Sequence, residues 1–278
     1  MGASHLRAAR NGQDAAASWS HGELAVAVVC DGCGSSERSE LGAQLVARRM
    51  CAAVARRLRA GGSVADPALW GACRDEVVDE LGHLARSFWV APEATPKATP
   101  EAWPATLATT TATTTATKPA TLPRELPGGA LPELAQSLLC TVLVAALDER
   151  AAAIWALGDG AFVLGDELTV LGPFPDNAPP YLAYDLVGAP PVARLEVRAR
   201  SAAGALAVAT DGAAALEHEL LTLACEPRFV DHPDALRRHL ATLARAGQRI
   251  RWSERRVEHT PARLQDDAAV GLVRWGQP

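Results

Sequence analysis

The chain has 278 residues, of which 49% are hydrophobic, and its formal net charge is -5. This length and composition can bury a sizeable core in one large domain or two small ones, and the acidic balance gives no electrostatic basis for binding nucleic acid or an anionic membrane. Because no apolar run approaches the roughly 20 residues of a membrane span and the first residues lack a signal core, we expect a cytoplasmic protein.

The first strong structural signal is the segment LAVAVVCDGCGSS at positions 24–36. Its small β-favouring residues end at Asp31 and Gly32, which predicts a buried strand that runs into a tight turn. Asp31 would lie at the mouth of the core with its carboxylate directed outward. Gly32 has no side chain to keep its carbonyl oxygen away from an ion. Both residues are therefore candidate metal ligands.

Two amphipathic helices are predicted next. Ser39 is expected to cap the first, at positions 41–60, which ends at a pair of glycines. Asp66 and Pro67 are expected to start the second, which reaches about Trp89. Each has apolar residues at helical spacing along one face, so we expect both to pack as layers on a sheet.

The composition changes between positions 91 and 129, where proline, threonine and alanine replace almost all core-forming residues. We predict an extended or disordered insertion that the chemistry does not need. A threonine-rich phosphorylation target is the alternative interpretation. The insertion would interrupt a single domain that covers residues 1–278.

The remainder of the chain is β-rich, with helices near its end. Hairpin strands accompanied by paired helices predict an α+β layered sandwich. The predicted strands cover 138–147, 151–157, 161–164, 168–171, 192–199, 205–210 and 268–273, and the predicted helices cover 213–223 and 233–246. The strands from 138 to 171 are expected to form a continuous meander.

Aspartates recur where the predicted strands begin or end. All-oxygen donor sets without accompanying histidine or cysteine favour Mg²⁺ or Mn²⁺ over zinc. Two such ions about 3.5–4 Å apart can activate a water for attack on phosphorus, which favours hydrolysis of phosphate esters. Asp-Gly is also a common turn, so any one of these residues alone has a structural explanation. The aspartates are Asp14, Asp31, Asp159, Asp211 and Asp266.

The order of these elements resembles the metal-dependent protein serine/threonine phosphatases of the PP2C type. Leaving out the insertion, the resemblance runs from about residue 2 to residue 275. It implies a four-layer αββα sandwich, in which two antiparallel sheets are flanked by helix pairs and the metals lie in a cleft at one end. The blocks that carry it are Asn11-Gly-Gln-Asp14, Val29-Cys-Asp31-Gly32-Cys-Gly34, Leu157-Gly-Asp159-Gly160, Ala209-Thr-Asp211-Gly212 and Asp266-Asp267-Ala-Ala-Val270.

The resemblance also implies a role for each acid. Asp31 would bridge two Mn²⁺ or Mg²⁺ ions, and Gly32 would offer its carbonyl oxygen. Asp14 would support the second ion through its water. The implied activity is removal of phosphate from phosphoserine and phosphothreonine in proteins, with a phosphorylated protein as substrate and a cognate serine/threonine kinase as a further partner. The remaining ligands would be Asp211 and Asp266 for the first ion and Asp159 for a loosely held third ion.

Two positions depart from the family pattern. Gln13 stands where many members have glutamate, and Ala9 stands where a phosphate-binding arginine is expected. Arg10, or else Arg7, is therefore the candidate catalytic arginine, acting with the carboxylates of the metal site. These departures leave an alternative function open, a catalytically weak or inactive phosphatase-like module that binds a phosphoprotein or regulates a kinase.

Overall fold

The structure is a computed structural model that describes residues 11–36, 38–88, 137–175, 178–214 and 216–276. Arg10, Arg7 and the predicted insertion at 91–129 lie outside the described residues. The strands are β1 (Ala15–His21), β2 (Leu24–Cys30), β3 (Val142–Leu147), β4 (Ala151–Leu157), β5 (Gly160–Leu164), β6 (Glu167–Leu171), β7 (Arg194–Ala199), β8 (Gly204–Ala209), β9 (Gly247–Arg251), β10 (Arg256–Thr260) and β11 (Val270–Trp275).

Six α-helices accompany these strands within the described ranges, together with two short 3₁₀ helices at Leu182–Val187 and Trp252–Glu254. No described helix has both the length and the apolar character needed to cross a membrane. The α-helices are α1 (Ser39–Arg59), α2 (Pro67–Phe88), α3 (Asp211–Ala214), α4 (Glu217–Cys225), α5 (Pro227–Asp231) and α6 (Pro233–Leu243).

Two antiparallel sheets form the centre of the molecule. One has the strand order β1-β2-β3-β4-β7 and the other β11-β8-β5-β6, while β9 and β10 form a separate hairpin. Strands β4 and β5 belong to different sheets although only Gly158 and Asp159 separate them. The predicted continuous meander is therefore wrong, because the chain crosses from one sheet to the other at these two residues.

The alternation of side chains in β2 explains the layers. Val26 and Val28 are buried in the cluster formed with α1 and α2. Ala27 and Val29, on the opposite face of the strand, are buried between the two sheets with Phe162. Apolar side chains of α4 and α6 pack against the outer face of the second sheet. The order helix, sheet, sheet, helix confirms the predicted α+β sandwich.

Several predicted elements differ from the structure in detail. Ser39 does not cap the first helix, because it is the first helical residue and its hydroxyl donates a hydrogen bond to the carbonyl of Cys33 at 2.9 Å. The helix expected at 213–223 is divided into α3 and α4, and the strand expected from 138 begins only at Val142. Strand β1 and the β9–β10 hairpin were not predicted at all.

Asp148 fixes the turn between β3 and β4 and ties it to the connection between α1 and α2. One carboxylate oxygen accepts hydrogen bonds from the backbone N–H groups of Arg150 and Ala151, both at 2.7 Å. The other accepts from the Ser63 hydroxyl and the Val64 N–H, both at 2.9 Å. Burial alone would raise the pKa of Asp148, but these hydrogen bonds outweigh burial and hold the pKa below its usual value.

We expect Asp148→Asn to lower the free energy of unfolding at pH 7 by about 1–3 kcal/mol, because an amide NH₂ would face backbone donors. Since the folded pKa lies below the unfolded value of 3.8, the stability from the charged form is present above pH 3.8. It is lost as the pH falls through the folded pKa. Denaturant titrations between pH 2 and 7 measure this, with exposed Glu149→Gln as the control. Equal losses in both variants at pH 7 would contradict the prediction.

Candidate metal centre

The register of the first sheet places two predicted ligands side by side. In the antiparallel pairing of β1 with β2, Ala15 lies opposite Cys30. Asp14 immediately precedes β1 and Asp31 immediately follows β2, so both lie at the same end of the sheet. Asp31 is anchored there by its own N–H, which donates to the Thr141 hydroxyl at 3.3 Å.

The second sheet has the same arrangement at the same end of the sandwich. Ala209 in β8 lies opposite Val270 in β11, so the residues after β8 and those before β11 meet. Asp211 follows β8 by two positions, and Asp266 lies in the segment that leads into β11. A Cβ atom at Gly212 would lie 1.7 Å from the Asp267 carbonyl oxygen, so the contact between these two turns requires glycine.

One cleft of about 540 Å³ lies between the two sheet ends. The structure brings all the predicted metal-binding residues together around it, although they come from five separate places in the sequence. In the described part of the chain, no arginine or lysine lines this cleft. Arg10, predicted to bind phosphate, lies outside the described residues. The predicted residues that line the cleft are Asp14, Asp31, Gly32, Asp159, Asp211 and Asp266.

Two tyrosines form part of the cleft wall. Tyr181 and Tyr184 line the cleft together with the acids, and their rings meet edge to face at 5.5 Å. They belong to the segment around the 3₁₀ helix Leu182–Val187, which an ion pair of 2.8 Å between Arg74 and Asp185 joins to α2. Sequence reasoning did not identify this wall, because nothing local to the tyrosines links them to the distant aspartates.

Exposure increases from the floor of the cleft to its mouth. Asp14, Asp31 and Asp159 are half-buried, whereas Asp211 and Asp266 are exposed. The cleft is therefore open to solvent on the side of the second sheet. A phosphate group on the surface of another protein could reach the mouth without a deep tunnel.

Burial raises the pKa values of the three inner carboxyls. For Asp31 the negative charge of Asp14 and the close approach of the two carboxyl groups add to burial and raise the pKa further. Burial and the charge of Asp211 raise the pKa of Asp159 to about 6. Because the pKa of Asp31 is raised most, its environment favours the protonated carboxyl in the metal-free protein, and a divalent cation would compete with that proton for the same oxygens.

The donor chemistry of the cleft fits a divalent cation. Carboxylate and carbonyl oxygens are the ligands that Mg²⁺ and Mn²⁺ prefer. The Oδ1 atom of Asp159 is buried and has no hydrogen-bond partner within the described ranges, an arrangement that is costly unless a cation compensates it. Among the described side chains, no three of His, Cys, Asp and Glu are already gathered closely enough to hold an ion.

Two supporting residues were missed by sequence reasoning. The Thr210 hydroxyl donates to Asp14 at 2.5 Å and accepts the Ala269 N–H at 2.9 Å, so it joins the two sheet ends. Asp267 is buried and accepts the N–H of Gln13 at 2.7 Å. The available signal was position, since each residue directly adjoins a predicted ligand.

The model of the protein phosphatase 2C family matches residues 1–252. This range contains Asp14, Asp31, Asp159 and Asp211 and ends before Asp266. No curated protein sequence matches the chain.

Solved structures share the fold at low sequence identity. A point mutant of a bacterial serine phosphatase has a TM-score of 0.54 at 13% identity, over 97% of this chain and 94% of that one. The serine/threonine phosphatase Stp1 from Staphylococcus aureus has a TM-score of 0.51 at 13% identity, over 96% of this chain and 90% of that one. The catalytic domain of the phosphatase PstP, solved with 2 manganese ions, has a TM-score of 0.48 at 12% identity, over 95% of this chain and 92% of that one.

The structural similarity to these proteins, at 13% sequence identity, establishes the fold. The match to the family model establishes that the chain is related to the family. The predicted resemblance is therefore confirmed, and the family match supports the predicted enzyme class, a protein phosphatase. The blocks that suggested it in the sequence are the same turns that line the acidic cleft. The chain belongs to the protein phosphatase 2C family.

Proposed function

We propose that this protein is a metal-dependent phosphatase that hydrolyses phosphoserine and phosphothreonine in other proteins. The observation that carries the proposal is the convergence of the five predicted aspartates, together with Asp267 and Gly32, on a single open cleft. Such a concentration of carboxylates in one cleft is destabilising without cations. We propose that two Mn²⁺ or Mg²⁺ ions occupy it, with Asp159 available to a third.

Each residue has a proposed part in this centre. Asp31 feels the charges of both Asp14 and Asp211, so it is the proposed shared ligand, with the Gly32 carbonyl beside it. Asp211 and Asp266 would complete the outer side, where exposure lets them exchange ions with solvent. When bound, two divalent ions would lower the pKa of a water and offset charge on the phosphate.

Three side chains have proposed roles in proton transfer and in binding the phosphate group. Thr210 orients the Asp14 carboxylate by its 2.5 Å hydrogen bond, and Asp14 is the proposed acceptor of the proton that the attacking water gives up. Arg10 is the proposed ligand of the phosphate oxygens, as the resemblance to the family implies; among the described residues no arginine or lysine lines the cleft. The open mouth suits a phosphorylated protein, and the kinase that makes this substrate is the proposed functional counterpart.

We expect the purified chain to release p-nitrophenol from its phosphate ester with Mn²⁺ or Mg²⁺ and to release none in excess chelator. Asp211→Asn should lower kcat/KM by about 10- to 100-fold, the loss typical when groups that organise a metal are removed. Asp166→Asn is the matched control, because its side chain is 92% exposed on the β5–β6 turn. It should retain full activity.

The same assay distinguishes the alternative function. If calorimetry shows that the wild type binds Mn²⁺ while no metal supports turnover above that of Asp211→Asn, the protein is not a phosphatase. The phosphatase-like module that binds a phosphoprotein would then be the better interpretation.

A further inference from the structure

Gln13 joins the three segments that build the floor of the cleft. It is buried, with 7% of its surface exposed, and it directly precedes Asp14. Its backbone N–H donates to the Asp267 carboxylate at 2.7 Å, and its carbonyl accepts the N–H of Gly32 at 3.2 Å. The main chain at Gln13 therefore links the first sheet to both acidic turns.

The side chain of Gln13 makes a further set of contacts with the turn between β2 and α1. Its amide nitrogen donates to the Ser39 hydroxyl at 2.8 Å, to the Ser36 carbonyl at 3.0 Å and, more weakly, to the Cys33 carbonyl at 3.4 Å. The Ser39 hydroxyl itself donates to the Cys33 carbonyl at 2.9 Å. This turn carries Gly32, so the amide fixes the position of a proposed metal ligand.

These contacts require a donor at position 13. Backbone carbonyls only accept hydrogen bonds, and a carboxylate is also an acceptor. Glutamate at this position would set a buried negative charge against the Ser36 and Cys33 carbonyls and leave those groups without their donor, which is costly. The turn has little room to adjust, since a Cβ on Gly32 would already lie 2.8 Å from the Ser39 hydroxyl oxygen.

We propose that Gln13 is a positioning residue for the metal centre: its amide nitrogen holds the Asp31–Gly32 turn in place, and its side chain is not a metal ligand. The proposal rests on the proposed function, because it concerns the metals of that phosphatase. In this chain the second ion would then be held by Asp31 and the Gly32 carbonyl, with Asp14 supporting it through its water, and the departure from glutamate is a structural adaptation of the turn.

The test is Gln13→Glu in the full chain, with Mn²⁺ binding measured by calorimetry at neutral pH. Although the variant adds a carboxylate, we expect Mn²⁺ affinity to fall about 10- to 100-fold, the usual loss when a group that orients a ligand is removed. The Mn²⁺ concentration for half-maximal phosphatase activity should rise by the same factor, while kcat at saturating Mn²⁺ changes much less. Gln44→Glu on the exposed face of α1 is the isosteric control and should change neither value.

Two results would overturn the proposal. Tighter Mn²⁺ binding in Gln13→Glu would show that position 13 supplies a ligand, and unchanged binding with a lower melting temperature would show a purely structural role. If Gln13→Glu does not fold, Ser39→Ala decides by the same measurement, because it removes the hydroxyl that accepts from Gln13 and donates to the Cys33 carbonyl, and it adds no charge. Its Mn²⁺ affinity should fall severalfold, and an unchanged affinity counts against the proposal.

The proposed function can fail separately. If the wild type binds Mn²⁺ but shows no turnover, the proposed phosphatase activity is wrong. The role of Gln13 is then still decided by calorimetry, which compares the Mn²⁺ affinities of the wild type and Gln13→Glu. A wild type that binds no Mn²⁺ would overturn both.

Discussion

Asp31→Asn is expected to abolish most phosphatase activity and, in the metal-free protein, to raise the melting temperature. The charges of Asp14, Asp211 and Asp159 all act on the Asp31 carboxyl, and the proposed centre shares Asp31 between two ions. Removing the charge of Asp31 would weaken the binding of both ions at once. We therefore expect kcat/KM to fall by at least about 10²–10³-fold, the loss seen when one preorganised electrostatic group is removed.

The gain in stability follows from the unfavourable surroundings that the wild type gives the Asp31 carboxyl. Burial, and then the charges of Asp14, Asp211 and Asp159, raise the pKa of Asp31 well above its usual value. The ionised form is therefore unfavourable in the folded protein, whereas asparagine carries no charge and has nearly the same shape. For a domain of this size, each kcal/mol recovered corresponds to about 2–4 °C in melting temperature.

Activity assays with Mn²⁺ and thermal melts in chelator measure the two effects of Asp31→Asn on one preparation. Asp66→Asn is a suitable control, because its carboxylate lies at the start of α2 and accepts the Ala68 N–H at 2.9 Å, outside the cleft. A variant that loses activity but also melts lower than wild type in chelator would show that Asp31 supports the fold rather than strains it.

The acids of the cleft could be predicted because their signals are local. Asp31, Asp159 and Asp211 each follow an apolar run by one or two positions, and glycine follows each of them directly. Antiparallel pairing brings these acids close to the residues that precede the neighbouring strand, because the end of one strand lies opposite the start of the next. The layered arrangement was also predictable from a local signal. Strand β2 is apolar on both faces, so a layer of structure must cover each face.

The missed features depend on contacts that are distant along the chain. Gln13 donates to acceptors 20 to 26 positions away, and its N–H binds a carboxylate 254 positions away, so no local pattern reveals either. The link of Gly158 and Asp159 has the length of a hairpin turn but connects two sheets. Strand β1 consists mainly of alanine, serine and one tryptophan, a composition without a clear strand signal.

The stability of the metal-free protein is expected to fall as the pH rises from about 4 to 7, and Mn²⁺ should reverse this trend. The folded pKa of Asp159 is about 6, against an unfolded value of 3.8. Between these values the folded state binds more protons than the unfolded state, so the free energy of unfolding decreases with rising pH. Asp14 and Asp31 shift in the same direction, while Asp148 stays ionised because its pKa lies below 3.8.

Bound Mn²⁺ replaces those protons, and its affinity increases as the carboxylates ionise. At 100 times its Kd a ligand stabilises the folded state by about 2.7 kcal/mol, which corresponds to a rise of about 5–10 °C in melting temperature at this size. We expect that rise at pH 7.5 and almost none at pH 4.5. Melts from pH 4.5 to 8 in chelator and in Mn²⁺ provide the measurement, and Asp159→Asn should make the chelator series less steep. Parallel curves in the two conditions would mean that the acids of the cleft do not hold the metal.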